Sequence, residues 1–219
     1  PELLAANLAA AGVQFAALTD HDSIEGLPRF EEALQKRAIT CLSGVELTTQ
    51  FQGREAHLLG YGFDAHNAEL AATLQSIRLA QNLEVQSISA SLRKRGVNRA
   101  ANGESSHAGN AAPNGRLEIK AAIAMLHRAG GKAFLAHPLH FESNPQRLEA
   151  RVAELKTMGL DGLEAIYAPF SPAERDGLCS LAEKYGLLVC AGTDFHGNET
   201  PDNNKYAIEM PRTAWVRLR

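Results

Sequence analysis

The sequence FAALTDHD, residues 15–22, joins a short apolar run to a cluster of polar side chains. The apolar part is too short for a buried helix but long enough for a strand that is buried on both faces. The polar groups begin where that strand ends. The same order recurs in five further segments, which with the first predict six strands: Ile39 to Glu46, His57 to Phe63, Lys132 to His137, Gly162 to Tyr167 and Leu187 to Asp194.

Amphipathic segments with helix start and stop signals separate these strands. The clearest start is Ser171-Pro172-Ala173-Glu174, where serine is the N-cap, proline takes the first helical position and glutamate completes a capping box. Other helices are predicted before Gly12 and within residues 119–126 and 148–155. Because strands alternate with helices, the pattern favours parallel βα units and an α/β fold.

One stretch interrupts this alternation. Asn67 to about Arg95 has a broken helical stripe of apolar residues, and Asn98 to Gly115 is polar and rich in glycine and asparagine. We interpret the pair as an insertion whose second part is a mobile loop. The predicted organisation is therefore a first part of the fold, residues 1–66, the helical insertion and loop, residues 67–117, and a second part, residues 118–219.

The composition limits the classes of partner. With 219 residues, 45% of them hydrophobic, the chain can bury the core of one large domain. A net charge of -3 without a basic block argues against a surface for long nucleic acids and favours small or short ligands. No apolar run approaches the roughly 18 residues of a membrane span. The three cysteines lack Cys-x-x-Cys spacing, which indicates free thiols and a cytoplasmic location.

Unusual polar residues gather at the predicted strand ends. In parallel βα folds the loops converge at the C-terminal ends of the strands, so side chains placed there can share one space. One histidine, His57, opens its predicted strand instead. Imidazole together with carboxylate is typical of zinc, manganese and iron sites, whereas magnesium and calcium prefer oxygen ligands. The pattern predicts a transition-metal site formed by His21, Glu46, His57, His137, Asp194 and His196.

Each of these residues also has a structural interpretation. A histidine at a strand end often binds a loop carbonyl, and Thr-Asp-His-Asp could serve turns and caps. Asp20 and Asp22 could orient a ligand histidine or cap the next helix, and we favour the cap for Asp22. The other histidines lie on predicted helices or loops and receive no role: His66, His107, His127 and His140. Convergence of six residues on one end of the fold favours the metal site.

Five ordered segments carry a resemblance to a known family. They are residues 18–22 (LTDHD), 44–46 (GVE), 57–61 (HLLGY), 136–138 (AHP) and 192–197 (GTDFHG). In order and approximate spacing they resemble the motifs of PHP (polymerase and histidinol phosphatase) proteins. The resemblance is closest to small bacterial nucleoside 3′,5′-bisphosphate phosphatases and RNA exonucleases, and it covers nearly the whole chain except residues 98–115.

This resemblance implies a distorted (β/α)7 TIM-like barrel with a helical insertion and two or three divalent metal ions, commonly manganese, zinc or iron. It implies that the six residues named above are metal ligands. The implied reaction is hydrolysis of a phosphomonoester or phosphodiester by a metal-activated hydroxide. The implied substrate is a small phosphorylated molecule, such as a nucleotide or a short RNA or DNA end.

The chain departs from the family pattern in two places. The first strand of the family, which carries His-x-His, is missing before Pro1, so the sequence is either a fragment, which we favour, or a degenerate member with fewer metals. Relatives also place phosphate-binding arginines in the insertion. Here Arg78 and Arg99 are the candidates, with Arg116 as an alternative to Arg99, although each could be an ordinary surface charge.

Two other functions remain open from the sequence. A metal-poor, non-catalytic PHP module with a structural or regulatory role would explain the missing strand. A different metal-dependent barrel that hydrolyses a C–N bond would use similar ligands, but such enzymes often use a carbamylated lysine, and no lysine lies at a predicted strand end.

Overall fold

The computed structural model describes residues 1–80, 116–197 and 206–211. Helix α3 spans residues 68–80, as far as the described chain continues there. The other elements, in chain order, are α1 (Glu2–Ala10), β1 (Phe15–Ala17), α2 (Leu27–Gln35), β2 (Thr40–Leu42), β3 (Gly44–Phe51), β4 (Arg54–Tyr61), β5 (Leu117–Glu118), α4 (Ile119–Arg128), β6 (Lys132–Leu135), α5 (Pro138–Phe141), α6 (Pro145–Thr157), β7 (Gly162–Tyr167), α7 (Pro172–Lys184) and β8 (Leu188–Gly192).

Two sheets form the centre of the molecule. Six strands lie in the order β5-β3-β4-β6-β7-β8, and β1 pairs with β2 in a separate parallel ribbon. The large sheet is mixed, because β3 with β4 and β4 with β6 are antiparallel while its other pairs are parallel. The α/β class is confirmed. A closed TIM-like barrel is not observed, since the six-stranded sheet ends at β8 without pairing to the ribbon in the described chain.

The antiparallel pairing of β3 with β4 corrects the prediction of uniformly parallel βα units. The two strands are joined by Gln52 and Gly53 alone, and both residues have positive φ, 52° and 74°. Two residues with positive φ match the type I′ turn, whose twist suits a tight hairpin. A parallel connection requires a dozen or more residues. The short Gln-Gly link therefore fixes an antiparallel pair.

The predicted strand from Ile39 to Glu46 is divided in the structure. It covers β2 and the start of β3, and Ser43 separates the two strands by donating its hydroxyl to the carbonyl of Phe63 at 2.7 Å. Glu46 is consequently near the beginning of β3 and does not end a strand. His57 likewise lies inside β4 and does not open it.

Most helix signals in the sequence are confirmed. The capping box at Ser171 and Glu174 is formed at the start of α7, and Gly12 takes a φ of 73° after α1. Helix α2 has no counterpart in the sequence prediction, although it buries Leu27, Phe30, Ala33 and Leu34. Its short apolar stripe is interrupted by charged residues, so its burial depends on packing against α1 and the β1–β2 ribbon.

Helix α3 is part of the main core. Leu70, Leu74 and Ile77 are buried in the same apolar cluster as the inner residues of β3 and β4. The start of the predicted insertion is therefore packed onto the sheet. The remainder of the insertion, including the predicted loop and Arg99, lies outside the described residues, so the boundaries at 67–117 stay a prediction. None of the helices in the described ranges is both long and apolar enough to cross a bilayer.

Candidate metal centre

The carboxylate of Glu46 is surrounded by three imidazoles. Its Oε1 lies 2.8 Å from Nδ1 of His57 and 3.2 Å from Nε2 of His137, and its Oε2 lies 3.7 Å from Nε2 of His21. Glu46 is 4% exposed, whereas the side chain of His21 is 43% exposed, so the carboxylate is buried while the cluster reaches the surface. One buried anion with several imidazole nitrogens is a donor set suited to a divalent transition metal.

Strand pairing brings Glu46, His57 and His21 together. Thr48 pairs with His57 across the hairpin, and Glu46 lies two positions earlier on the same face, so Glu46 and His57 are diagonal neighbours. His21 joins them through an isolated parallel bridge to Glu46. The ligand atoms of the three residues all lie within 4.8 Å of one another.

Asp22 fixes the loop that carries His21. Its carboxylate accepts a hydrogen bond from the backbone N–H of Thr48 at 2.9 Å, and its own N–H donates to the carbonyl of Glu46 at 2.8 Å. The side chain is buried, and the backbone has a φ of 50°. The expected helix cap at Asp22 is therefore wrong, because its carboxylate is directed to strand β3. No hydrogen bond among the described residues joins the Asp20 carboxylate to a candidate ligand, so its predicted orienting role stays a prediction.

The surroundings of the His137 side chain indicate that the site suits a cation. The residue follows β6 with an unusual φ of 28°, and its Nε2 contacts Glu46. Its Nδ1 is buried and has no hydrogen-bond partner among the described residues. If Nε2 carries the proton that Glu46 accepts, Nδ1 presents a bare lone pair. Leaving such an atom unsatisfied costs about 1–3 kcal/mol, and a bound cation would satisfy a nitrogen of this ring.

Asp194 and His196 complete the group from the loop after β8. Nδ1 of His196 lies 3.2 Å from Oδ1 of Asp194, and the imidazole of His196 lies 5.8 Å from that of His21 between ring centroids. The fold thus brings all six predicted residues to one place. Five of them, all except His57, line a cavity of about 1300 Å³ that extends between β1 and β8.

The pKa shifts follow from this arrangement. Burial alone would raise the pKa of Glu46, but hydrogen bonds from His137 and His57 and the charge of His21 outweigh it and lower that pKa to about 2. The hydrogen bond to Glu46 is the main reason that the pKa of His57 is raised. Glu46 is therefore ionised at neutral pH, which is the state required of a metal ligand.

Glu164 is a buried carboxylate beside the candidate ligands that was not predicted from the sequence. It lies in β7, its Oε2 accepts the backbone N–H of His137 at 2.7 Å, and it is 4% exposed. Burial raises its pKa to about 8, and although that N–H bond opposes the rise, the charges of Glu46 and Asp194 add to it. A β-carbon at Gly192 would lie 2.0 Å from Oε1 of Glu164, so a side chain there would displace this carboxylate. The signal in the sequence was a carboxylate inside an otherwise apolar strand.

Replacing Glu164 with glutamine is expected to change the pH dependence of stability. Between pH 4.5 and about 8 the folded protein holds a proton on Glu164 that the unfolded chain releases, so the free energy of unfolding falls as pH rises. The loss approaches about 1.4 kcal/mol per pH unit. Glutamine does not titrate, so the Glu164→Gln variant should lose this slope in urea unfolding of chelator-treated protein.

The control for this measurement is Glu118→Gln, which makes the same substitution at an exposed position on β5. It should retain the wild-type slope. Parallel pH profiles for wild type and Glu164→Gln would contradict the prediction.

Two more residues beside the cluster were not predicted. Oε1 of Glu55 lies 3.2 Å from Nε2 of His57, and Glu55 is in turn paired with the guanidinium of Arg116. The ring of His140 lies 5.3 Å from that of His137, although its side chain is exposed.

Arg78 pairs with Glu25, in the loop after His21. Its predicted role in substrate binding stays a prediction.

Comparison with known proteins identifies relatives of the chain. No protein-family model matches the chain. The chain is 28% identical over 221 residues to a 5′-3′ exoribonuclease of Haemophilus influenzae, covering 85% of this chain and 81% of the relative. It is 25% identical over 216 residues to a 3′,5′-nucleoside bisphosphate phosphatase of Chromobacterium violaceum, covering 82% and 76%.

A solved structure supports the fold. An amidohydrolase from Chromobacterium violaceum, with bound sulfate and no metal, superposes with a TM-score of 0.81 at 22% identity, covering 98% of this chain and 89% of that one. The curated relatives are hydrolytic enzymes that act on phosphoesters. The chain is thus similar to enzymes that hydrolyse phosphoesters, which is the class of reaction that its motifs predicted. The class of reaction is confirmed by these relatives, and they give no support to a non-catalytic module.

Proposed function

We propose that the chain hydrolyses a phosphoester of a nucleotide or a short oligonucleotide with the help of divalent metal ions. The observation that carries the proposal is the contact of three imidazoles with one buried carboxylate, Glu46, at the mouth of a large cavity. The names of the relatives, an exoribonuclease and a nucleoside bisphosphate phosphatase, support the substrate class.

The residues that would hold the metal ions are those predicted from the sequence: His21, Glu46, His57, His137, Asp194 and His196. Their donor atoms are imidazole nitrogens and carboxylate oxygens, which favours two or three manganese, zinc or iron ions. Such ions supply Lewis acidity and lower the pKa of water toward neutrality. The protein keeps Glu46 ionised, holds His57 between Glu46 and Glu55, and anchors the His137 backbone on Glu164.

Arginines would bind the substrate phosphate. Arg116 pairs with Glu55, which itself contacts His57, so this guanidinium lies beside the candidate ligands. Arg78 lies at the loop after His21 through its pair with Glu25. Guanidinium groups recognise phosphate through two parallel N–H bonds. These contacts support Arg116 and Arg78 as substrate-binding residues, with Arg99 a further candidate outside the described residues.

Metal removal tests the proposal. The full chain, stripped with a chelator and reloaded separately with Mn²⁺, Zn²⁺ or Fe²⁺, is assayed for phosphate release from 3′,5′-bisphosphate nucleotides, mononucleotides and short oligoribonucleotides. We expect release only after reloading, because a bound divalent ion lowers the pKa of its water toward neutrality. A panel of amides tests hydrolysis of C–N bonds by the same protein.

Elemental analysis of the reloaded protein accompanies the assay. Two or more bound ions per chain with phosphate release support the proposal. Bound metal with hydrolysis of amides alone would show that the protein acts on C–N bonds instead. A chain that binds no metal and releases no phosphate would contradict the proposal entirely.

A further inference from the structure

Tyr167, the last residue of β7, makes a specific contact with a candidate ligand. Its hydroxyl donates a hydrogen bond to Oδ2 of Asp194 at 2.9 Å. Tyr167 is 2% exposed and the Asp194 side chain is 25% exposed, so the bond is partly shielded from solvent. The other carboxylate oxygen, Oδ1, faces His196 at 3.2 Å. The two oxygens of Asp194 therefore have different surroundings.

The position of the Tyr167 hydroxyl is fixed from several sides. The ring packs against those of Phe170 at 4.8 Å, His140 at 5.5 Å and His137 at 5.8 Å between centroids. Its backbone carbonyl accepts a hydrogen bond from Nε of Arg175 in α7 at 2.9 Å. A hydroxyl on such a held ring can fix the direction of the carboxylate that it contacts.

The backbone of Asp194 explains why such a partner matters. The residue has a φ of 49°, in the left-handed region that side-chain-bearing residues seldom adopt, and it lies beyond the end of β8. The sheet therefore does not by itself fix the orientation of its carboxylate. The hydroxyl of Tyr167 ties that carboxylate to the end of the neighbouring strand, β7, and to the rings around His137.

We infer that Tyr167 is a positioning residue, which holds Oδ2 of Asp194 and thereby directs Oδ1 toward the metal ions. The inference rests on the proposed function, since it assigns the partner of one of the proposed ligands. Tyr167 contributes no atom to the metal, and its hydroxyl acts only through Asp194. Hydrogen-bonded partners of this kind typically change metal affinity by about 10- to 100-fold.

The test compares two tyrosine-to-phenylalanine variants. Tyr167→Phe removes the hydroxyl and keeps the ring in its packing. Tyr185→Phe is the matched control, because the hydroxyl of Tyr185 makes a bond of the same length, 2.9 Å, to the carboxylate of Glu149 between α7 and α6. For each protein, Mn²⁺ and Zn²⁺ affinity is measured by titration calorimetry, and unfolding is measured in a chelator.

We expect Tyr167→Phe to bind metal about 10- to 100-fold more weakly than wild type, with Tyr185→Phe unchanged. In the chelator the two variants should lose similar stability, since each lacks one hydrogen bond. Unchanged metal affinity in Tyr167→Phe, or a loss explained by unfolding in the chelator, would overturn the inference. If wild type binds no metal, the proposed function fails instead, and the two failures are thereby distinguished.

Discussion

Glu46→Gln is expected to weaken metal binding by more than about 100-fold, beyond the usual cost of losing an outer hydrogen-bond partner, and to abolish phosphate release. The carboxylate contacts His21, His57 and His137, and its pKa lies near 2, so it is charged at neutral pH. Glutamine has nearly the same shape and removes that charge. Metal titration and phosphate release measure the effect.

The control is Glu142→Gln. Glu142 is also a buried carboxylate, 5% exposed, but it is paired with Arg54 and Arg147 at the start of α6. Its loss should lower stability because two guanidinium groups lose their partner, and metal affinity should remain at the wild-type value. A Glu46→Gln protein that binds metal as tightly as Glu142→Gln would remove Glu46 from the proposed ligand set.

Gly162→Ala should lower the free energy of unfolding by about 3 kcal/mol. A β-carbon at this position would lie 2.1 Å from Cε1 of Phe134 and 2.7 Å from the carbonyl oxygen of Leu188. Phe134 is fully buried in β6, and the carbonyl belongs to the paired strand β8, so neither can retreat freely. Urea unfolding of chelator-treated protein measures the change.

Gly177→Ala is the companion variant. Gly177 lies inside helix α7, and no atom lies within 4 Å of an added β-carbon. Alanine there should raise the free energy of unfolding by about 0.5–1 kcal/mol, because it restricts the unfolded chain and favours the helix. If Gly162→Ala unfolded at the same urea concentration as Gly177→Ala, the close packing of β6, β7 and β8 would be contradicted.

The two pairs of variants address different properties of the protein. Glu46 affects the chemistry of the site while its neighbours keep their backbone positions. Gly162 affects the sheet, and it acts on the site through β6 and β7, which carry His137 and Glu164 toward each other. A loss of activity in Gly162→Ala that returns on stabilisation of the fold would therefore be structural in origin.

The sequence predicted that most candidate ligands lie at the C-terminal ends of strands. That placement was correct for some of the residues and wrong for others. His21 and Asp194 do follow the strands that the apolar runs predicted. Glu46 and His57 lie within β3 and β4, because the Gln52–Gly53 turn reverses the chain. The reversal places an early residue of β3 diagonally opposite a central residue of β4. Residue type was thus a better guide to the site than strand position.

The sequence by itself determined the residue types of the site, the order of its motifs and most of the helices, because apolar periodicity and capping residues act over a few neighbouring positions. It also indicated the α/β class. Within the described residues, the tertiary structure decided which distant residues meet: the bonds of Tyr167 to Asp194 and of Glu164 to His137 each join positions 27 residues apart. Such contacts depend on strand register and on the close approach that Gly192 permits, and neither is written in local sequence.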